Sequence, residues 1–523
     1  MNIEILKKYK DKIFIAIVIL ICIIGFLVRL IGTGEKPNAL NVDETSAGYE
    51  AFSILNYGID RNGNKLPVFL VAWGSGQNAL LSYLIIPFIK IVGLSALAIR
   101  LPMAILGCIS LVVFYCLLKR ITNRKIALIG LAFLAICPWH IMKSRWGLES
   151  NLFPDIVLLA IFLLVKGLQD NKRWIYYISF VFFGLTAYAY GTSYFFLPLF
   201  LIPVLIILVK RKDINVKKAI LSLIIVGIIS LPIIIFVIIN TFDLPQINLP
   251  FMTIPRMTVN RYEEVTSIFS SEFLSKSINN FTGSLNVLIK QVDGLGWNSI
   301  YPYGTIYIFS TIFTIIGIVF AIKNRKDIKY GFLFGTWGIV SIVLTFICEP
   351  NINRLNILMF PMIFYTVIGI YEVIKYGKVL IILVSILYAV SFGMFINAYI
   401  KEDAGNYWTF EKGLEQPIEY VDSLEDKQIY VTNKIKEPYI YVLFYTEYNT
   451  EDFVNTVEYR DPTVAFREVI SFGKYHFQEI KDIDASEENV YLIEKSELEN
   501  LDTTNFKITE FDGYVVLEGE KAE

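Results

Sequence analysis

The sequence predicts a mainly α-helical membrane protein with about eleven spans and a small α/β domain at its C-terminal end. Hydrophobic residues form 55% of the 523 residues and charged residues only 18%, too few to cover the surface of a soluble protein. The mean hydropathy is +0.55. Apolar segments long enough to cross a bilayer recur up to residue 400, after which charged and apolar residues alternate.

Eleven apolar segments are predicted to span the membrane, because a helix needs about 20 apolar residues to cross the hydrocarbon core. They lie at 13–31, 97–118, 126–142, 152–168, 174–191, 194–210, 219–240, 304–322, 331–348, 356–374 and 379–399. One further apolar segment, from Asn78 to Gly93, is short for a span. We therefore expect it to form an amphipathic helix in the outer membrane interface.

Lysine and arginine residues orient the predicted spans, because short basic loops stay in the cytoplasm. Basic residues cluster in every second loop, at 7–12, 119–125, 166–173, 210–218, 323–329 and 375–378. The pattern predicts a multi-pass protein of the cell membrane with a cytoplasmic N-terminus. A transmembrane domain would cover residues 1–400, with outer loops at 32–96 and 241–303, and an extracytoplasmic α/β domain would cover 401–523.

The C-terminal segment contains three strand-like runs, KQIYVTN, YIYVLFY and YVVLEGE, which predict the sheet of the α/β domain. The formal net charge of −1 provides no basic field for binding a nucleic acid. The five cysteines all lie in apolar segments and do not have the paired spacing of a zinc site.

Two acidic residues, Asp43 and Glu44, follow the first predicted span closely. Asp43 precedes a helical stretch that starts near Thr45, and it therefore suits a helix N-cap. Paired carboxylates at the membrane surface are equally suited to general acid–base chemistry. The local pattern leaves both roles open.

A short outer loop between the third and fourth predicted spans carries Lys143, Arg145 and Glu149. Lys143 is expected to be solvated. Arg145 and Glu149 are four residues apart and would share one face of a helix. They would form either a plain intrahelical ion pair or a site for a charged lipid headgroup.

Three arginines lie near the outer ends of predicted spans, namely Arg29, Arg100 and Arg354. Such a side chain either snorkels to the interface or binds an anionic phosphate, for which a planar guanidinium is suited. We favour the phosphate role for Arg354, which asparagines flank. The tyrosines of segment 188–196 are expected to belong to an aromatic belt, with sugar stacking as the alternative.

The sequence shows no glycine-rich phosphate loop between a strand and a helix, and no Ser-His-Asp arrangement. Both observations argue against a nucleotide-driven pump and a serine hydrolase. Any transfer reaction would therefore use a donor that is already activated and already outside the cytoplasm.

Taken in order, these motifs resemble those of a known family. The series consists of the pair Asp43-Glu44, the interface helix ending at Gly93, AIRLP at 98–102, the loop PWHIMKSRWGLESN with Arg145 and Glu149, and NINRLNILMFP at 351–361. It resembles the bacterial membrane glycosyltransferases related to protein O-mannosyltransferases and to the aminoarabinose transferase of lipid A. These enzymes have the GT-C fold and are of the family 39 type. The resemblance covers about residues 10–400.

The resemblance implies transfer of a sugar from a polyprenyl-phosphate donor, undecaprenyl in a bacterium, to a hydroxyl outside the cytoplasm. The acceptor would be a protein, a lipid or an envelope glycan, and in-line displacement would invert the anomeric carbon. Catalysis is assigned to Asp43, with Glu44 as its partner and Glu149 as a second acid; the phosphate would meet Arg145, Arg354 and Arg100. No cofactor is certain. A divalent metal ion held by Asp43 and Glu149 stays open, because the histidine-containing metal pattern of some relatives is missing.

Two other functions remain as alternatives. A transporter or flippase of lipid-linked glycans would show ionisable residues deep in its spans, or interrupted helices in related halves of the chain. We expect the mid-span positions of this chain to be almost uncharged. A non-catalytic scaffold would tolerate replacement of the Asp43-Glu44 pair.

Overall fold

The computed structural model of the chain describes residues 3–74, 76–259, 264, 266–268, 270–325, 328–401 and 410–520, with side chains from residue 10. The side chains of Lys7 and Lys8, Lys326 of the basic loop 323–329, residues 260–263 of the second outer loop and residues 402–409 at the start of the predicted C-terminal domain lie outside this range. The chain divides into two compact units. Unit 1 comprises Met1–Thr33, Met103–Pro232 and Tyr262–Asn406, and unit 2 comprises Gly34–Pro102, Ile233–Arg261 and Tyr407–Glu523.

Long helices dominate the chain up to residue 400. They are α1 (Ile3–Leu30), α2 (Val42–Tyr57), α3 (Leu80–Val92), α4 (Ala96–Ile121), α5 (Arg124–Ile136), α6 (Pro138–Ser144), α7 (Glu149–Gln169), α8 (Arg173–Leu185), α9 (Ser193–Lys210), α10 (Val216–Thr241), α11 (Phe273–Lys290), α12 (Ser310–Lys323), α13 (Phe332–Ile347), α14 (Ile352–Ile374) and α15 (Lys378–Ile400). The mainly helical architecture of a multi-pass membrane protein is confirmed.

Every one of the eleven predicted spans overlaps a helix. Among the described residues, seven helices are long and apolar enough to cross a membrane, or eight when α5 and α6 are taken as one bent span. The span count of eleven stays a prediction, because α8, α12 and α13 are shorter, with 13, 14 and 16 residues. Helix α3 occupies most of the segment predicted as an interface helix, whose position in the membrane also stays a prediction.

The third predicted span, 126–142, is two helices and not one. Helix α5 ends at Ile136 and α6 begins at Pro138, with a bend of 57° between them. Proline has no N–H for the helix ladder and disfavours helical geometry in the residue before it. Cys137 accordingly adopts an extended conformation, with φ −68° and ψ 121°.

Within unit 1, helices α12 and α14 cross with their backbones in contact. A Cβ atom built on Gly317 would lie 1.8 Å from the carbonyl oxygen of Tyr365. A Cβ atom on Gly369 would lie 1.9 Å from the carbonyl oxygen of Phe313. Only glycine permits this approach, as at small-residue helix crossings in membranes.

Unit 2 contains an α/β region at the C-terminal end of the chain. Its helices are α16 (Glu415–Asp422), α17 (Pro438–Tyr445) and α18 (Thr450–Thr456). Two short hairpins, β1 (Phe69–Leu70) with β2 (Gln77–Asn78) and β3 (Ile247–Leu249) with β4 (Met252–Ile254), precede it. Its strands are β5 (Gln428–Thr432), β6 (Glu458–Tyr459), β7 (Val469–Phe472), β8 (Tyr475–Gln478), β9 (Asn489–Glu494), β10 (Phe506–Glu510) and β11 (Tyr514–Gly519), in the sheet order β10-β11-β9-β5-β8-β7-β6.

Strand β5 is parallel to both of its neighbours, β8 and β9, and the other pairs are antiparallel. Two predicted strands, in KQIYVTN and YVVLEGE, are confirmed as β5 and β11. The third, YIYVLFY, is wrong because these residues form helix α17, which Pro438 starts. A short run that is apolar at every position fits a buried helix as well as a buried strand, and periodicity cannot separate them.

Candidate functional site

Helix α2 of unit 2 carries Asp43 and Glu44 in its first turn. Its N-cap is Asn41, whose side-chain oxygen accepts the backbone N–H groups of Asp43 at 3.1 Å and of Glu44 at 3.0 Å. Of the two roles left open for Asp43, that of the helix cap therefore belongs to Asn41 instead. Because Asn41 satisfies the helix end, the carboxylate of Asp43 remains available for other contacts, beside the positive end of the helix dipole.

The carboxylate of Asp43 lies half-buried among side chains of unit 2. The indole N–H of Trp73 donates a hydrogen bond to it, and the charges of Lys436 and Arg61 also act on it. Burial nevertheless raises the pKa of Asp43 above its ordinary value, an effect that Glu44 strengthens. Such a carboxylate suits a general base better than a freely solvated one does, because its affinity for a proton is higher.

Glu44 forms a buried, two-pronged ion pair with Arg100. Both contacts, Nε to Oε1 and Nη2 to Oε2, are 2.8 Å long, and neither side chain is exposed. The guanidinium of Arg100 also donates to the carbonyl oxygens of Pro37 and Ala39. These contacts hold the start of α2 against helix α4. They also occupy the guanidinium of Arg100, which was predicted to bind the phosphate, and the carboxylate of Glu44, which was predicted to be the partner of Asp43.

The C-terminal region packs directly on the helix that carries Asp43. Helix α17 lies against α2, where a Cβ atom on Gly48 would come within 2.9 Å of the ring of Phe444. The hydroxyl of Tyr49 donates to the carbonyl oxygen of Tyr448 at 2.8 Å. Lys436, which precedes α17, thereby comes close to Asp43. Neither Lys436 nor Trp73 was singled out from the sequence, because no local motif marks them.

In unit 1, Arg145 and Glu149 lie at two different helices, one at the end of α6 and the other at the start of α7. Arg145 ends α6, and its guanidinium donates to the carbonyl oxygens of Val28, Ile31 and Gly32 at the end of α1. Glu149 begins α7. The predicted common helical face is therefore wrong, and Arg145 caps α1.

Lys143 is buried, and the prediction that it is solvated is wrong. Its ammonium group lies 2.5 Å from the carboxylate of Asp155 in α7 and 4.7 Å from the ring centre of Trp139. His140 lies 3.6 Å from the other oxygen of Asp155 and accepts hydrogen bonds from Arg29.

Arg29 is fully buried, so it does not snorkel. It donates to the carbonyl oxygens of Leu134 and Ala135 in the last turn of α5, next to the break in the helix. These contacts brace the bent span, and Arg29 lies near the end of its predicted span, 13–31, and not in the middle.

Arg354 lies in the first turn of α14, after the N-cap Asn351. Its guanidinium pairs with the carboxylate of Glu349 at 2.8 Å, and its side chain is 23% exposed. It also hydrogen-bonds the hydroxyl of Tyr190, on which the charge of Glu149 acts as well. Unit 1 thus gathers Glu149, Tyr190 and Arg354 in one cluster.

Residues 78–237 match the family model described as "Dolichyl-phosphate-mannose-protein mannosyltransferase". A comparison with curated protein sequences gives no match. Over its full length, the chain is similar in structure to ArnT from Cupriavidus metallidurans in the apo state, with a TM-score of 0.55, 10% identity, and coverage of 99% of this chain and 100% of that chain. The chain has the GT-C glycosyltransferase fold.

Two further solved structures share the GT-C fold. ArnT from Cupriavidus metallidurans bound to undecaprenyl phosphate has a TM-score of 0.53 and 10% identity, with 98% of this chain and 99% of that chain covered. The archaeal oligosaccharyltransferase AglB from Archaeoglobus fulgidus, in complex with an inhibitory peptide and a dolichol-phosphate, has a TM-score of 0.53 and 12% identity. The match covers 83% of this chain and 60% of AglB, so this chain spans less than two thirds of the length of the oligosaccharyltransferase.

The described residues of this GT-C protein contain no group of three or more His, Cys, Asp or Glu side chains that could hold a metal ion. The carboxylate of Glu44 is held by Arg100 and is not available as a ligand. A metal ion held by Asp43 and Glu149 stays a prediction from the sequence.

Proposed function

We propose that this protein transfers a sugar from a polyprenyl-phosphate donor to an acceptor hydroxyl on the extracytoplasmic face of the membrane, with inversion. The match of residues 78–237 to a mannosyltransferase family that uses dolichyl phosphate carries the proposal. The end-to-end similarity to ArnT, which binds undecaprenyl phosphate, supports the same donor chemistry. The acceptor belongs to a protein, a lipid or an envelope glycan.

Asp43 is the proposed general base. The acceptor oxygen forms a bond to the anomeric carbon while its proton passes to the carboxylate of Asp43. The bond from the anomeric carbon to the phosphate oxygen breaks, and the electron pair leaves with the phosphate. A phosphate is a good leaving group, so this step needs positive charge and no strong acid.

Arg354 is the proposed contact for the phosphate. Of the three arginines considered, it alone has a partly exposed side chain, at 23%, whereas Arg100 and Arg145 are almost fully buried against carboxylate or carbonyl oxygens. Glu149 and Tyr190 would shape the same site. We assign Glu44 and Arg145 to positioning, of α2 and of the α6–α7 loop respectively.

The replacement Asp43→Asn tests the assignment. The amide keeps the shape and still accepts a hydrogen bond from Trp73, but it cannot take up the proton. We expect transfer from an undecaprenyl-phosphate sugar in liposomes to fall by about 10²- to 10⁴-fold. Asp482→Asn serves as the matched comparison, since it makes the same change at an exposed carboxylate that has no part in the proposed step. Full activity of Asp43→Asn would remove Asp43 from the mechanism.

A flippase of lipid-linked glycans is the second candidate. The bent span α5–α6 and the buried charges of Arg29, Lys143 and Asp155 are features that membrane transporters use. Here, however, the charges are paired with each other and with the backbone. Liposomes with a fluorescent polyprenyl-phosphate sugar separate the two functions: lipid movement without an acceptor supports the flippase, and transfer that requires an acceptor supports the enzyme.

A further inference from the structure

Arg354 already has an anionic partner that a lipid phosphate would have to displace. Glu349, in the loop before α14, holds its carboxylate 2.8 Å from Nη1 of Arg354. The side chain of Glu349 is 50% exposed. The pair therefore lies where an incoming ligand can reach it, unlike the fully buried pair of Glu44 and Arg100.

The proposed reaction changes the charge of the phosphate that Arg354 would bind. The donor is a phosphodiester with one negative charge. The released polyprenyl phosphate is a monoester, which carries about −1.5 to −2 at pH 7. A guanidinium with no other partner would therefore hold the product more tightly than the donor and slow its release.

We propose that Glu349 is a specificity-determining residue that exchanges with the lipid phosphate on Arg354 and so limits retention of the product. The inference rests on the proposed function. When the phosphate leaves, the carboxylate of Glu349 takes its place, so the guanidinium is not left without an acceptor. Glu149, which faces Tyr190 in the same cluster, adds a second negative charge that disfavours the dianion more than the monoanion.

The test compares binding of undecaprenyl phosphate to the full-length protein in nanodiscs for the wild type and Glu349→Gln. An exposed ion pair shifts an equilibrium by about two- to fivefold. We therefore expect Glu349→Gln to bind undecaprenyl phosphate about two- to fivefold more tightly and to show stronger product inhibition. Glu349→Ala removes the same charge with a different shape and should act in the same direction.

Glu468→Gln is the matched control. Glu468 forms an ion pair of the same length, 2.8 Å, with Arg460 in unit 2, and both side chains are well exposed. This variant should leave the affinity unchanged. Unchanged or weaker binding in both Glu349 variants would overturn the exchange.

Arg354→Ala separates this inference from the proposed function. Loss of affinity in Arg354→Ala without a gain in Glu349→Gln would refute only the exchange with Glu349. Wild-type affinity in Arg354→Ala would remove Arg354 from the phosphate site, and the proposed donor contact would fail with it.

Discussion

The environment of a single carboxylate decides the pH range in which the proposed base works. Burial raises the pKa of Asp43, so the carboxylate is lost at a higher pH than in an ordinary aspartate, whose pKa is about 3.9. A base must be deprotonated, so kcat/KM should rise with pH through the raised pKa. The acid limb of the pH–rate profile is the measurement, and a limb at or below pH 4 would contradict this environment.

Lys436 provides a check on the same residue, because its ammonium group lowers the pKa of Asp43. In Lys436→Gln, the acid limb should move to higher pH, whereas Lys436→Arg should keep it in place.

The raised pKa of Asp43 also makes stability depend on pH, in the opposite direction to that of a salt-bridged aspartate. A raised pKa means that the protonated form favours folding, and this contribution is lost as the pH rises through the folded-state value.

A matched pair of glycines tests helix packing at the scale of the element. In Gly369→Ala, the new Cβ would meet the backbone of α12 at Phe313, which cannot move aside as a side chain can. We expect a loss of at least about 1–3 kcal/mol, measured as a lower unfolding temperature in mild detergent. Gly393→Ala in α15 meets no atom within 4 Å and should change stability by less than about 1 kcal/mol. Equal stability of both variants would contradict the close crossing.

The bent span α5–α6 depends on a buried ion pair. Asp155→Asn should destabilise the protein by about 3–5 kcal/mol, because it leaves the ammonium group of Lys143 buried without an opposite charge. The double replacement Lys143→Met with Asp155→Leu removes both charges and should recover most of that stability. If the double variant is no more stable than Asp155→Asn, the cost lies in packing and not in charge.

The orientation of the whole molecule in the membrane is a prediction from the basic loops. A cysteine at Glu425, which is exposed in the C-terminal α/β region, should react with a membrane-impermeant maleimide in intact cells. A cysteine at Lys172, between α7 and α8, should react only after the cells are permeabilised. The wild type, with its five native cysteines, gives the background. The reverse pattern would invert the topology and place Asp43 on the cytoplasmic side.

The order of apolar segments, charged loops and turn residues determines much of this fold without any long-range information. Each predicted span overlaps a helix because a run of about 20 apolar residues has one stable solution in lipid, a helix with its backbone hydrogen bonds satisfied internally. The resemblance to GT-C glycosyltransferases likewise depends on the order of the motifs along the chain. Asp43 and Arg354 were proposed as site residues because charges beside apolar segments are rare and therefore informative.

Only the tertiary structure decided which charges are free to act. From the sequence, Lys143 is expected to be solvated, but in the structure it is buried in an ion pair with Asp155. Arg145 and Glu149 are expected to share one helix, but they lie on either side of the break between α6 and α7. Helix α17 and Lys436 lie about 400 residues from Asp43 along the chain, yet they form its surroundings. Burial and ion pairing depend on contacts between distant segments, whereas local patterns report only the residues within a few turns.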